Sequence, residues 1–506
     1  MIVKDTPVLR IRDLSVTPRH APPLLEHVQF DLKKGEVVLL TGPSGCGKST
    51  LIKVLAGIVD AADSDWQVTG NAQFEGTHFD LAIARPKTGG MVFQNFALFD
   101  DQTAGRNIQI AFDHGGAKAS TYAEQVENLL SGISTNTAVR DCSSGQQQRI
   151  AIARTLVADK PVLFMDEPNS GLDMQAAHDL ARIIRDLSDE LGIAIVVVAH
   201  HLEAFRPVVD RLLVIDPNER QILDLGKPEA FSREYSVGSY VESSIVNVEP
   251  KALSVRVDLE PKTKTGNWSA KWQLRYFLYY MWILCLSPSV LLFVGLGGIL
   301  VGFVSTAFVF QYFPYREYLI PVIQNDALAG IGYVQFRLLI PLVVSILIAT
   351  RNGAIVSADI GNRVYSSQLS AMENLRIPQR WYIGGNTTLS LVLGSLILSL
   401  AAMAICAWFS MQTWNAMFQE QSIYFWREHY FRGIWPQDHI FPAGFLWVLA
   451  KVIPSALTTN LISLYFGSRP KNSVTDLNNA IANSIICSVS FVFIWHSLLF
   501  LSDIKY

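Results

Sequence analysis

The sequence predicts an α/β domain built around a phosphate-binding loop, followed by an all-α polytopic membrane domain of about five transmembrane helices plus an interfacial helix. Three observations lead there. Lys, Arg, Asp and Glu number 62 in residues 1–268 but only 23 in residues 269–506, so the two halves are written for different solvents. A glycine-rich loop, Gly42-Pro-Ser-Gly-Cys-Gly-Lys48-Ser49-Thr50, follows an apolar run in the first half. The second half holds uncharged stretches of 40, 39 and 26 residues, each long enough to cross a bilayer. With 50% hydrophobic and 17% charged residues and a net charge of −3, the chain is neither a basic nucleic-acid binder nor disordered, and no nucleic-acid partner is expected.

From Pro7 to about residue 237, β-branched runs such as Glu36–Leu40, Pro161–Met165 and Ile193–Ala199 alternate with helical patterns, as in a mainly parallel sheet covered by helices. Residues 1–237 are therefore assigned to the nucleotide domain and 238–268 to a polar linker, with a small strand at Leu253–Val257 as the alternative. Residues 269–506 form the membrane domain. Its interfacial helix, about Ser269–Trp282, carries Lys271, Arg275 and aromatics suited to a membrane surface. Two spans have an internal cation, Arg337 in Ala327–Thr350 and Lys451 in Ile440–Gly467; each can meet lipid headgroups in a cavity or snorkel. Arg351, Arg363, Arg376 and Arg380 follow span two, and Arg469 and Lys471 follow span four. By the positive-inside rule these loops share the cytoplasmic side with the first half, leaving Gln412–His439 outside. MIVKDTPVLRIRD has no signal-peptide layout. The five cysteines, Cys46, Cys142, Cys285, Cys406 and Cys487, suggest neither a zinc site nor a disulfide framework.

The loop chemistry is specific. Gly42, Pro43, Ser44, Gly45, Cys46 and Gly47 separate the strand Glu36–Leu40 from the helix Ser49–Ala56. The glycines admit phosphate close to backbone N–H groups, Lys48 offsets β/γ charge, and Ser49 can hold Mg²⁺. A second apolar strand ends in Asp166-Glu167, where one carboxylate can join the magnesium shell and its neighbour can activate water.

Further motifs resemble those of ABC-transporter ATPases. Cys142-Ser143-Ser144-Gly145-Gln146-Gln147-Gln148-Arg149 resembles their signature, Gln94 their Q-loop, Ser170-Gly-Leu-Asp173 their D-loop, and His200 their switch histidine. The resemblance implies ATP and Mg²⁺ as cofactors and assigns Lys48, Ser49 and Thr50 to phosphates and metal, and Gln94 and Asp166 to the metal shell. It makes Glu167 the residue that acts on water, with Lys48 and His200 also catalytic, His200 contacting the γ-phosphate. Ser143 and Gly145 would meet the γ-phosphate of ATP held by another copy, with Ser144, Gln146 and Asp173 also counted among the nucleotide-binding residues, so a homodimer is implied. His201 replaces the usual Asp, Cys142 and Ser144 replace the usual Leu and Gly, and no aromatic near Thr17–His20 is available to stack adenine. Arg19 or His20 stacking and a plain exposed turn are both open.

In the second half, Arg351-Asn-Gly353-Ala-Ile-Val-Ser-Ala358-Asp359-Ile-Gly361, Gln368-Leu369-x-Ala371-Met372-Glu373 and Ile377-Pro378-x-Arg380 resemble the core motif of MlaE-type permeases of the Mla/Mce lipid transporters. Asp359 replaces the family's Glu, Ser367 and Ser370 its acids, and Gly385-Asn386 its Pro-Arg. The resemblance implies membrane lipid as substrate, a separate Mce-domain protein on the outward face, and a bacterial inner-membrane location with the ATPase cytoplasmic. Tyr365, Leu369 and Met372 give Val364–Leu375 one apolar face, so this short helix is expected to transmit domain closure; an amphipathic loop on the membrane surface is the alternative. Spans one, two and five of two copies are expected to line a lipid pocket at the dimer axis, with Gly295, Gly297, Gly298 and Gly302 permitting close or splayed packing. A half-transporter of the G-subfamily type, exporting sterols or drugs, is the rival reading. Five spans instead of six, and the Arg351–Arg380 stretch, speak against it.

Overall fold

A computed structural model describes residues 7–19, 21–59, 65–84, 87, 89–115, 122–199, 203–227, 268–312, 316–435, 442–471 and 473–503. The chain forms two compact units. The first contains Met1–Ser269 together with Arg363–Gln379; the second contains Ala270–Asn362 and Arg380–Tyr506.

The first unit has two sheets. β1 (Pro7–Pro18), β2 (Leu25–Lys33), β4 (Trp66–Phe74) and β5 (Thr77–Asp80) make an antiparallel sheet in the order β2-β1-β4-β5. β3 (Val37–Thr41), β6 (Gly89–Val92), β7 (Val162–Asp166), β8 (Ala194–Val198), β9 (Arg211–Asp216) and β10 (Gln221–Gly226) make the second, in the order β10-β9-β3-β8-β7-β6. All its pairings are parallel except β9 with β10. β3, β6, β7 and β8 are buried along their whole length, which is why they read as continuous apolar runs and not as alternating strands. The three strands expected from sequence are β3, β7 and β8. Helices α1 (Lys48–Leu55), α2 (Ala104–His114), α3 (Ala123–Leu129), α4 (Ser144–Leu156) and α5 (Met174–Leu191) connect the strands.

In the second unit, α6 (Ala270–Met281) runs through a π turn, Trp282–Leu286, to an extended Ser287 and then α7 (Pro288–Tyr312). Ala270–Tyr312 is 43 residues long, and at about 1.5 Å per residue that would be roughly twice the hydrocarbon thickness, so the break at Ser287-Pro288 divides a membrane-crossing part from the part expected to be interfacial. α8 (Arg316–Val334), α9 (Ile340–Leu347) and α10 (Gly353–Tyr365) are joined by π turns at Gln335–Leu339 and Ile348–Asn352. The second apolar helix thus continues to Tyr365, well past the expected end at Thr350, because no proline intervenes and Gly353 leaves room for Thr459 and Ser463. α12 (Asn386–Met417), α14 (Phe445–Ser468) and α15 (Val474–Asp503) complete the set, giving five helices long and apolar enough to cross a membrane among the described residues. The chain is a multi-pass membrane protein.

Several details differ from the sequence reading. The stretch expected as an outer loop contains a helix, α13 (Ile423–Arg432), whose Trp426 and Tyr430 pack with Phe310, Leu328 and Trp414. Ser422 caps it by accepting from Phe425 N–H, a Ser-before-aromatic signal visible in the sequence. Gly298 and Gly302 serve contacts within one chain: a Cβ on Gly298 would lie 2.8 Å from Ala402 O, and one on Gly302 would overlap Cys406 O. They let α7 approach the α12 backbone, which is the close packing expected of them, here between two helices of the same chain. Lys451 is fully buried and donates to Arg337 O at 2.8 Å, so it does not snorkel. Arg337 lies between the Tyr333 and Trp447 rings, 5.2 and 5.5 Å from their centroids. The linker strand considered at Leu253–Val257 falls outside the described residues.

Candidate ATP site and the inserted segment

The phosphate loop takes its shape from glycine. Gly42 has φ +150° and a Cβ there would sit 3.0 Å from both Ile215 O and Cys46 Sγ; Gly47, at φ +100°, caps α1. Lys48, 5% exposed, folds back so that Nζ donates to Gly42 O and Pro43 O, each at 2.8 Å. A buried ammonium held by the carbonyls of the loop is poised to exchange them for phosphate oxygens. Ser49 Oγ donates to Asp166 Oδ1 at 2.8 Å, across from the end of β7. Burial pushes the Asp166 carboxyl above its ordinary range, with the nearby charge of Lys53 and the Ser49 hydroxyl opposing. These are hard oxygen donors brought together at one point, a set that fits Mg²⁺.

Glu167 sits at φ +47°, a left-handed geometry that ends β7 and turns its side chain out of the sheet. Its N–H is held by Val198 O at 2.9 Å, and Gln94 Nε2 donates to its Oε2 at 3.0 Å. Lys48, Ser49, Asp166, Glu167 and Gln94 are therefore linked through short hydrogen bonds and neighbouring chain positions around one loop. His200 and His201 lie outside the described residues, as does His20; Arg19 is held through its N–H to Asp65 O. Asp173 acts locally as the N-cap of α5, accepting from Ala176 N–H at 2.8 Å.

The signature residues start α4. Ser143 and Gln146 form a reciprocal capping box, Ser143 Oγ accepting from Gln146 N–H and Gln146 Oε1 accepting from Ser143 N–H. Ser143 and Ser144 are exposed, and a Cβ on Gly145 would meet only Leu172 Cδ2, at 3.9 Å. Among the described residues, nothing in the chain's own packing requires glycine there. Cys46 and Cys142 are buried free thiols, each with its pKa pushed up by burial, and the described residues contain no candidate metal cluster.

The segment expected to transmit motion belongs to the first unit. Its helix, α11 (Gln368–Asn374), is shorter than Val364–Leu375, because Ser367 at φ +58° breaks it from α10; Tyr365 consequently ends α10, half exposed. Leu369 and Met372 are buried as expected, and Ala371 joins the apolar core of the ATPase unit. Polar side chains that the apolar pattern did not single out do the anchoring. Asn374, 2% exposed, accepts from Met91 N–H at 3.0 Å and donates to Gly89 O at 2.8 Å and Ala56 O at 3.4 Å. Gln368 donates to Asp100 Oδ2 at 3.2 Å, buried Arg363 lies 3.8 Å from Asp101 Oδ2, and Glu373 pairs with Lys87. Where Ser367 and Ser370 lack acids, Asp100 and Asp101 of the loop after β6 meet the segment instead, Asp101 in an ion pair with Arg363 and Asp100 in a hydrogen bond from Gln368.

Two family profiles match the chain: ABC transporter over residues 25–170 and Permease MlaE over residues 284–501. The chain is similar to the spermidine/putrescine import ATP-binding protein PotA of Borreliella afzelii (strain PKo), 32% identical over 235 residues, covering 46% of this chain and 65% of that protein. It is also similar to the sulfate/thiosulfate import ATP-binding protein CysA of Bacillus cereus (strain ATCC 10987 / NRS 248), 34% identical over 213 residues, 40% of this chain and 57% of that protein. The chain spans less than two thirds of the length of these relatives. Among solved structures, cbiO1 from Clostridium perfringens, part of the ABC transporter complex cbiONQ, matches with 24% identity and a TM-score of 0.37, covering 44% of this chain and 90% of that one. The first domain binds ATP, with Mg²⁺ the usual partner of this fold. The two matches place an ABC transporter domain on the α/β unit and a Permease MlaE domain on the five-span helical unit of one polypeptide, the arrangement of a fused ATPase-permease.

Proposed function

We propose that two copies of this chain form a transporter that hydrolyses ATP to move phospholipid or a related lipid across or out of a bacterial inner membrane, with the ATPase units cytoplasmic. The observation that carries this reading is the placement of Arg363–Gln379, which lies in sequence between two apolar spans, inside the ATPase unit. A segment so placed has to move with the nucleotide domain, whatever the rest of its own half does.

In this reading Lys48 and the N–H groups of Gly42–Thr50 hold the phosphates, Ser49, Asp166 and Gln94 belong to the metal shell, and Glu167 accepts a proton from the attacking water, with His200 at the γ-phosphate. Ser143, Ser144, Gly145 and Gln146 of a second copy close the site, and Asp173 lies near the join. The open space at Gly145 and its position at a helix N-terminus support that, since a glycine unneeded by its own chain suits close approach of a phosphate.

The lipid cargo is supported by the permease match and by solvation. The cavity between the first two spans, about 350 Å³, is lined by Tyr279, Ile283, Leu284, Ile355 and Val356 with Tyr280 and Asp359, and the last two are bonded to each other at 2.8 Å. Such a lining solvates an acyl chain and offers little to a sugar or an ion. A separate Mce-domain protein on the outward face completes the proposal. In nanodiscs, Glu167→Gln should retain ATP binding and lose turnover, and lipid extraction with mass spectrometry should find phospholipid enriched in the purified dimer. Near-normal hydrolysis by Glu167→Gln, or no enriched lipid, would refute the corresponding half of the proposal.

A further inference from the structure

α4 begins with the signature residues and carries two deeply buried polar side chains further along. Gln148, 1% exposed, donates to Pro168 O, immediately after Glu167. Arg154, also 1% exposed, donates Nη1 to Ala97 O at 2.7 Å and Nη2 to Phe96 O at 3.1 Å, with its guanidinium carbon 5.6 Å from the Phe99 ring centroid. Phe96 and Ala97, at φ +59° and +46°, are the one consecutive pair of non-glycine residues with positive φ among the described residues. The loop they form starts at Gln94, which holds Glu167, and continues through Asn95, which donates to Ser367 Oγ at 3.4 Å, and Asp100, which accepts from Gln368. Asn107 pins its far side, accepting from Phe99 N–H at 2.9 Å.

A buried guanidinium whose hydrogen-bond partners are two carbonyls is costly, and an apolar side chain of similar volume would pack there without that cost. Two successive left-handed residues with Cβ atoms are also costly, and their carbonyls have no place in a helix or ladder. Each cost offsets the other: the charge satisfies the two carbonyls, and the turn supplies the two acceptors that a fork-shaped cation needs.

We propose that Arg154 is a positioning residue for ATP hydrolysis, holding loop 94–101 in its left-handed turn so that Gln94 stays on Glu167 while Asn95 and Asp100 stay aligned with the inserted segment. Because Arg154 projects from α4, whose N-terminus carries Ser143 and Gly145, the same side chain ties the signature helix to the chain's own hydrolytic residues. The inference rests on the assignment of Gln94 and Glu167 to the ATP site.

The test uses the full-length chain in nanodiscs. Arg154→Lys keeps the charge but cannot span both carbonyls; kcat for ATP should fall about ten-fold or more while KM stays within about two-fold, since the phosphate loop is untouched. Adding Ala97→Gly to Arg154→Lys should recover about three-fold or more in kcat, because glycine holds a positive φ without the penalty that Arg154 offsets. Ala97→Val, with Arg154 intact, should lower kcat at unchanged KM, because a β-branched residue resists the left-handed turn. That variant decides the matter if Arg154→Lys does not fold. The proposal is overturned by normal kcat per folded protein in Arg154→Lys, by no recovery on adding Ala97→Gly, or by normal kcat in Ala97→Val. Glu167→Gln separates the two layers: if it still turns over, the ATP-site assignment fails; if it is inactive while Arg154→Lys is normal, only the role of Arg154 fails.

Discussion

Asn374→Ala should unseat the inserted segment while leaving the phosphate loop intact. Asn374 is the most buried polar anchor between α11 and the edge strand β6, and its truncation orphans Met91 N–H and Gly89 C=O, both in the buried strand. At about 1–3 kcal/mol for each buried group left unpaired, the combined loss is about 3 kcal/mol. That corresponds to about a hundred-fold in the equilibrium between seated and unseated segment. Hydrogen exchange by mass spectrometry on the protein in nanodiscs should show the Met91 amide losing protection by that order, and ATP-driven lipid transfer should fall with it while basal ATPase persists. Asn374→Asp should be worse, since it keeps the acceptor for Met91 N–H but sets a carboxylate against Gly89 O. Unchanged Met91 protection together with lipid transfer within about two-fold of the parent would refute the reasoning, because two unpaired groups at that depth cannot be silent.

Two glycines should separate fold from function. Gly42→Ala places a Cβ against Ile215 O at an unfavourable φ and should abolish nucleotide binding, whereas Gly145→Ala should leave thermal stability intact and still lose turnover, which circular dichroism and phosphate release together will check. Gly302→Leu should destabilise the membrane unit itself, seen as a lower unfolding temperature in detergent, because its Cβ would overlap Cys406 O. Lys160, buried beside Arg376 and Lys87, has its pKa pushed down to about 7 from 10.5. Between those values the unfolded chain binds a proton that the folded one does not, so this residue makes stability rise with pH by up to about 1.4 kcal/mol per unit, and Lys160→Met should remove that slope in denaturation measured at pH 7.5 and 9. A slope unchanged by the substitution would show that Lys160 stays charged in the fold.

Local chemistry made much of this protein readable from its sequence. A phosphate loop needs Gly42 and Gly47 at fixed places and a lysine at the first helical position, so Lys48, Ser49 and Asp166 were legible as a group, and the structure brings them together. The spans were legible because an uncharged stretch of more than about 20 residues has few other uses. Their ends were not: α10 runs to Tyr365 because helix continuation is decided by what the next turn packs against, which hydropathy does not record. Gly298 and Gly302 announced a close approach without saying to what, and only the fold assigns it to the α12 backbone of the same chain. The same limit hid Arg154 and Asn374. Each is polar, distant in sequence from its partner and unremarkable in any local pattern, and each matters because the fold buries it where a backbone group would otherwise go unpaired; Gln368 stood in a motif, but its partner Asp100 did not. Sequence by itself determined which solvent each half of the chain requires and where phosphate can be held, since both follow from residue type over short distances. Tertiary structure alone decided that Arg363–Gln379, written among the spans, folds with the nucleotide domain, because hydrogen bonds between residues about 280 positions apart depend on coordinates that no short-range pattern encodes.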